Sequence, residues 1–200
     1  MTAIFGSVVD LEQFLQIEIV PAASIDAADR AILEASVAIQ NYCRQQIEEV
    51  EDDEITLDSA GDRRLFLPEL PVTAISGVIE DGEVLVEADD YQLGQHGILH
   101  RIGQNWASGI QIVTVTYTHG HDPIPDDVVA ICTRAAARAY QAGLKSAETG
   151  AVPGVTAIGL GDYSVSYGGE AGGGTGGVLG ASAAPVLLRS EKELLNRYRI

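Results

Sequence analysis

Between Ile112 and Tyr140 the hydrophobic period of the chain changes within a dozen residues, and this change most narrows what the chain can fold into. Ile112-Val-Thr-Val-Thr-Tyr117 alternates β-branched and aromatic side chains, as a strand on a pleated surface does. Gly120, Pro123 and Pro125 then punctuate a tight loop. Asp126 and Asp127 suit the first turn of a helix, where carboxylates meet unpaired N–H groups and the positive dipole end. Val128, Ile131, Cys132, Ala135 and Ala139 then fall on one helical face. A face so rich in alanine lets another backbone approach closely, so this helix should be central to the fold.

The segments on either side are read against that strand–loop–helix. Val8 to Ile19 predicts a short helix, with Pro21 following its end. Ser24 or Asp26 should cap a second helix running to about Ile47, because Ile32, Ala35, Ser36, Ile39, Cys43 and Ile47 recur at helical spacing. From Ile55 the period becomes two. Ile55 and Leu57 should form a hairpin with Leu65 and Leu67, and Asp81-Gly82 marks a tighter one between Val72–Glu80 and Glu83–Val86. Tyr91–Leu93 and Gly97–Arg101 read as short strands, and Gln111–Tyr117 closes the sheet. Gly143 can end the central helix. Asp162–Tyr167 alternates again as a β-arm, and eight of the thirteen residues 168–180 are glycine. Pro185 to Tyr198 predicts a last helix. The expected fold is α+β: a small helical bundle over residues 1–147 with an antiparallel β insert at about 51–117. An extended Gly-rich C-terminal arm, 148–200, ends in a helix.

Charge excludes some functions. The net charge is −17. Residues 1–100 hold 21 acids against 4 bases, whereas residues 101–200 hold 8 of each. Phosphate binding needs Lys and Arg to displace counterions, so the acidic half disfavours a grip on DNA. An acidic wall does allow a duplex to slide past. Cys43 and Cys132 lie among helix-patterned residues and read as buried reduced thiols, in no zinc pattern. No basic residue precedes Arg30, unlike a secretory signal, and no apolar run approaches the roughly 18 residues of a membrane span. A soluble protein made in a reducing cytoplasm is expected.

The candidate chemical motifs are thin. Seven acids between Glu48 and Asp58 lack the ligand spacing and glycine of an EF-hand, and read as a solvated acidic turn. His119, His121 and Asp122 could hold a catalytic zinc, but they crowd into one turn, and no further ligand has a recognisable spacing. Gly172, Gly174 and Gly177 match a dinucleotide fingerprint without the strand and helix it requires. Ser164 and Ser166 have no nucleophile-elbow context. Arg134 and Arg138 stand one helical turn apart, which suits either a solvated or salt-bridged face or a subunit contact or stripe facing a polyanion. Leu187, Leu188, Leu194, Leu195 and Tyr198 form an apolar stripe on the last helix, among Arg189, Lys192, Arg197 and Arg199.

The order of these parts resembles the head–tail connector, or adaptor, proteins of long-tailed bacteriophages. Three segments carry the resemblance: Leu67-Pro-Glu-Leu-Pro-Val-Thr-Ala-Ile75, Val115-Thr-Tyr-Thr-His-Gly120 before Ile124-Pro-Asp-Asp-Val128, and Ile158-Gly-Leu-Gly-Asp-Tyr-Ser-Val-Ser-Tyr167. Leu194-Leu195-Asn-Arg-Tyr198-Arg199 resembles the way such proteins close. The Gly-rich run departs from compact members. The resemblance implies a virion structural protein with no catalytic role, cofactor or metal. It implies a ring of identical subunits, usually twelve, in the neck between portal and stopper or tail proteins, with viral DNA passing unbound through the centre during ejection. It also implies that Leu187, Leu188, Arg189, Leu194, Leu195, Arg197, Tyr198 and Arg199 meet the portal, and that no membrane is involved. A small metal-dependent hydrolase using His119, His121 and Asp122, and another neck or tail-completion protein, are the alternatives.

Overall fold

Four helices and nine strands follow one another along the chain in the computed structural model, which describes residues 4–149, 157–160, 163–166 and 186–200. The chain divides into two units. One contains Ile39–Val129 and Glu193–Ile200, the other Ile4–Ala38 and Ala130–Lys192.

The first unit is built on sheets. Strands β1 (Val50–Ala60), β7 (Ser108–His119), β3 (Val72–Glu80) and β4 (Glu83–Leu85) form an antiparallel sheet in that order. Strands β2 (Arg64–Phe66), β6 (Ile98–Arg101) and β5 (Tyr91–Leu93) form a second. The alternation seen in the sequence of β7 is real: Val113, Val115, Tyr117 and His119 are buried while Ile112, Thr114, Thr116 and Thr118 are less so. Val113, Val115 and Tyr117 join Leu65, Leu67, Val78, Leu99 and Trp106 in one apolar core. Asp81 and Gly82, both at positive φ, make the expected turn between β3 and β4.

Two expectations for this region are corrected. The acidic run is not a turn, because β1 begins at Val50 and carries Glu51, Asp52, Asp53 and Glu54 within a strand. Among the described residues β1 is paired on one side, as an edge strand, and Glu51, Asp52 and Glu54 are exposed while Asp53 is half-buried. Nor does β1 pair with Leu65 and Leu67. It runs beside β7, with Ile55 opposite Val115 and Leu57 opposite Val113, while β2 pairs with β6. Twelve-residue β7 offers β1 a far longer ladder and a deeper apolar face than three-residue β2 could.

A buried ion pair lies among the strands. Arg101 Nε and Nη2 both stand 3.1 Å from Glu80 Oε2, with the two side chains 5% and 8% exposed. The second oxygen of Glu80 accepts the Ala107 N–H at 2.6 Å, and Arg101 Nη1 donates to the Asp90 carbonyl. The guanidinium also lies 5.7 Å from the Trp106 ring centre. Such a pair is tolerated inside because nearly every charge-bearing atom has a partner.

The second unit is helical. Helix α1 (Val8–Leu15) opens with a capping box in which Ser7 accepts from the Asp10 N–H and Asp10 accepts from the Ser7 N–H. It ends four residues early, at Gln16 in the left-handed conformation. Helix α2 (Ala22–Cys43) stops before Ile47. Within this unit it buries Ala28, Ala31, Ile32, Ala35 and Ser36, and helix α3 (Asp126–Thr149) buries Ile131, Cys132, Ala135, Ala136 and Tyr140. The small Ser36 lets the helices approach, with its Oγ 3.4 Å from Cys132 Sγ and also accepting the Phe5 N–H. Gly143 does not end α3, since a mid-helix glycine costs only about 1 kcal/mol. The expected β-arm is strand β9 (Tyr163–Ser166), paired with β8 (Ala157–Leu160). The last helix is shorter than expected, α4 (Arg189–Leu195) followed by a single 3₁₀ turn at Asn196–Tyr198. The Gly-rich run 168–180 lies outside the described residues.

Candidate functional site

The C-terminal segment is the most fully organised candidate surface. In the first unit Leu195 is wholly buried, whereas Leu194 beside it is 51% exposed. The residues after Leu195 are held by hydrogen bonds. Ile200 donates its N–H to the Cys43 carbonyl at 3.2 Å. Gln45 donates to the Tyr198 carbonyl and accepts the Leu70 N–H, so one side chain ties two segments together. Tyr42 donates to Asn196 Oδ1 at 2.7 Å. Tyr198 donates its hydroxyl to Asp127 at 2.8 Å, and Arg197 pairs with the same carboxylate. The Arg199 guanidinium lies 5.4 Å from the Tyr42 ring centre, within cation–π range. Asp127 thus does more than favour the start of α3.

Sequence reasoning placed eight residues of this segment on one interaction surface. The structure gives them different situations. Leu187 and Leu195 are buried within the chain, Tyr198 is half-buried, and Leu188, Arg189, Leu194, Arg197 and Arg199 are exposed. Two adjacent leucines read alike in sequence whichever one faces inward.

The two arginines of α3 also separate. In the second unit Arg138 donates from Nη1 and Nη2 to the two oxygens of Glu191, each at 2.7 Å, and from Nη2 to the Val186 carbonyl. Glu191 is 3% exposed and also accepts the Leu188 N–H. This bidentate clamp fixes the start of α4, and no sequence signal joins residues 53 positions apart. Arg134 remains exposed, folding back so that its Nε donates to the Ala130 carbonyl.

A cavity of about 520 Å³ in the first unit is lined by Leu70, Pro71, His96, His121 and Tyr198, among others. The His121 ring stands edge-on to Tyr198 at 5.6 Å, and burial lowers its pKa. His119 turns elsewhere. It is buried against Tyr117, ring centres 5.0 Å apart, with Nε2 3.3 Å from Asp53 Oδ2. The metal-site alternative requires these two histidines and Asp122 to converge, and they do not. Among the described residues no group of three or more His, Cys, Asp or Glu could hold a metal ion. Gly120 separates the histidines. Its φ is +97°, and a Cβ there would collide with the Glu48 carbonyl oxygen. Its neighbour His121 donates to the Ile47 carbonyl and accepts the Glu49 N–H, so the exit of β7 is laid directly against the backbone that enters β1.

The sequence profile of the head completion protein family matches residues 7–134. The chain belongs to the head completion protein family. Its fold is similar to that of a chain in the "Neck of native GTA particle computed with C12 symmetry", with TM-score 0.50 and 15% identity, covering 96% of this chain and 87% of that one. A chain from the "Neck of empty GTA particle computed with C6 symmetry" gives TM-score 0.48 and 19% identity over 67% of this chain and 76% of that one. No curated protein matches the chain. Residues 186–200 lie beyond the matched family span.

Proposed function

We propose that the chain is a head–tail adaptor of a tailed bacteriophage or phage-like particle. Copies form a ring, twelve-fold, in the virion neck between the portal and the stopper or tail proteins, around the channel through which DNA leaves. The observation that carries this reading is the head completion family match over residues 7–134. The twelve-fold number draws on the C12 symmetry of the neck that holds a chain of similar fold. The charge of −17 suits a wall that DNA passes without gripping.

In this reading the C-terminal segment meets the portal. Leu188, Arg189, Leu194, Arg197 and Arg199 supply the outward contacts, and Leu187, Leu195 and Tyr198 hold the segment in shape from within. Exposed Arg134 serves as a subunit contact or faces the channel, whereas Arg138 acts by fixing Glu191 and the start of α4. The test is electron microscopy of particles assembled with and without the chain. A ring directly below the portal supports the proposal. A ring lower in the neck makes the chain another neck or tail-completion protein, and the absence of any ring refutes it.

A further inference from the structure

The outer edge of β2 is a small basic and aromatic site in an acidic protein. Leu67 donates its N–H to the Gly97 carbonyl, and Arg63 accepts from the Arg101 N–H. Hydrogen bonding to β6 therefore uses residues 63, 65 and 67. In an antiparallel pair the alternate residues, Arg64 and Phe66, point their N–H and C=O groups to the open side. Their side chains are also in solvent, and Phe66 is 61% exposed. Arg63 and Arg64 are exposed and make no ion pair among the described residues, although the chain has 29 acids and 12 Lys and Arg. With Asp62, Phe66 and Asn105 they line a hollow of about 360 Å³. Open backbone groups, two uncompensated cations and an exposed ring together suit an extended acidic segment.

The chain itself carries such a segment. Strand β1 is an outer strand of the four-stranded sheet, hydrogen-bonded among the described residues to β7 alone. Asp52, Asp53 and Asp58 each have an internal partner, Ser76, His119 and Gln111 respectively. Glu51 and Glu54 are exposed and have none among the described residues. The acidic residues lie on β1 of the four-stranded sheet and the basic ones at β2 of the three-stranded sheet, so the two patches sit on different strands of different sheets. Two distinct, complementary patches on one chain are what a head-to-tail interface needs, and head-to-tail interfaces build rings.

We propose that the β2 edge of one subunit, with Arg63, Arg64 and Phe66, receives the β1 edge of the next, with Glu51 and Glu54. The proposal rests on the ring reading above and names one of its subunit contacts. Three full-length variants test it: Arg63→Glu with Arg64→Glu, Glu51→Arg with Glu54→Arg, and the chain carrying all four changes. Each is incubated with tailless heads, and rings are counted by electron microscopy. The milder pair Arg64→Gln with Phe66→Ser serves if a reversal does not fold, as read from its melting curve. Each one-sided reversal should lose rings by at least about tenfold, since like charges then face each other. The four-fold swap should restore them. Undiminished rings in the one-sided variants overturn the β1–β2 contact while leaving the ring intact. Loss in both without rescue by the swap shows that the patches are not partners. Duplex DNA binding that disappears with Arg63 and Arg64, in rings that persist, reassigns the patch to phosphate. A wild-type chain that forms no ring removes the ring reading itself.

Discussion

Leu194 and Leu195 are neighbours in sequence, yet truncating them should have opposite consequences. Leu195 is fully buried in the first unit, so Leu195→Ala removes packed methyl groups and leaves a cavity. Buried Leu→Ala changes cost about 2–5 kcal/mol. With a urea slope of about 1–3 kcal/mol/M, the unfolding midpoint should fall by on the order of 1–2 M. Trp106, the single tryptophan, is buried in the same unit, so its fluorescence reports the unit that Leu195 stabilises. Leu194 is half in solvent, and Leu194→Asp should change the unfolding free energy by no more than about 0.5 kcal/mol. Co-sedimentation with tailless heads should then reverse the order. Leu194→Asp should lose attachment while fully folded, and Leu195→Ala should retain it at temperatures where the unit is intact. An unchanged midpoint for Leu195→Ala would refute the burial argument. Undiminished attachment by Leu194→Asp would remove Leu194 from the docking surface. Deleting the whole segment cannot separate these effects, because it removes the bonds to Tyr42, Cys43, Gln45 and Asp127 as well.

Glu80→Ala should cost about 3–5 kcal/mol in urea unfolding, because it leaves Arg101 charged and buried. Replacing both partners, Glu80→Leu with Arg101→Met, should recover most of that loss; a single-variant cost below about 1 kcal/mol would contradict the argument. Gly120→Ala should destabilise by more than about 2 kcal/mol, through its positive φ and the clash with Glu48. By contrast Gly143→Ala, in open space on α3, should stabilise by about 0.5–1 kcal/mol, and equal effects at the two glycines would be inconsistent with the structure. Burial raises Cys43 from 9.0 to about 11 and Tyr117 from 10.0 to about 12. Folded values above unfolded ones mean stability is complete below about pH 9 and declines as pH rises through the folded values. Urea midpoints taken from pH 8 to 11 should show that decline, and Cys43→Ala should flatten its first part. EDTA should leave the melting temperature unchanged, and a fall would reveal a metal that helps hold the fold.

The strand–loop–helix around Gly120 was readable because each of its signals is local. Alternation in Val113, Val115 and Tyr117 specifies one face of β7, and Asp126 and Asp127 mark the first turn of α3. The partner of β1 was not readable. Ile55 and Leu57 alternate identically whether they lie beside Leu65 or beside Val115, and the choice depends on how much apolar face each offers. The acidic run misled for a related reason. An edge strand leaves one side in water, so carboxylates in it look like a turn. The helix ends missed by several residues where a weak stop, Gly143, was overridden, or a non-glycine residue, Gln16, took the left-handed position. Pairs such as Glu80 with Arg101 and Arg138 with Glu191 are set by topology, to which spacing along the chain is blind. For the candidate surface, the composition of the C-terminal segment was readable, but the division between its inward and outward residues was not.

The carboxylates on the outer edge of β1 also bear on how this strand can meet a second copy of itself. Two copies meeting edge to edge at β1, with a two-fold axis between Asp52 and Asp53, would set Glu51 of each opposite Glu54 of the other. Like charges directly opposite are repulsive, and an open strand is otherwise an inviting template for pairing. A two-fold dimer closes on itself and offers no free patch for a third copy. Strand β1 is therefore an edge that discourages closed pairs at small numbers, leaving directional contacts, which can be extended, as the ones open to it.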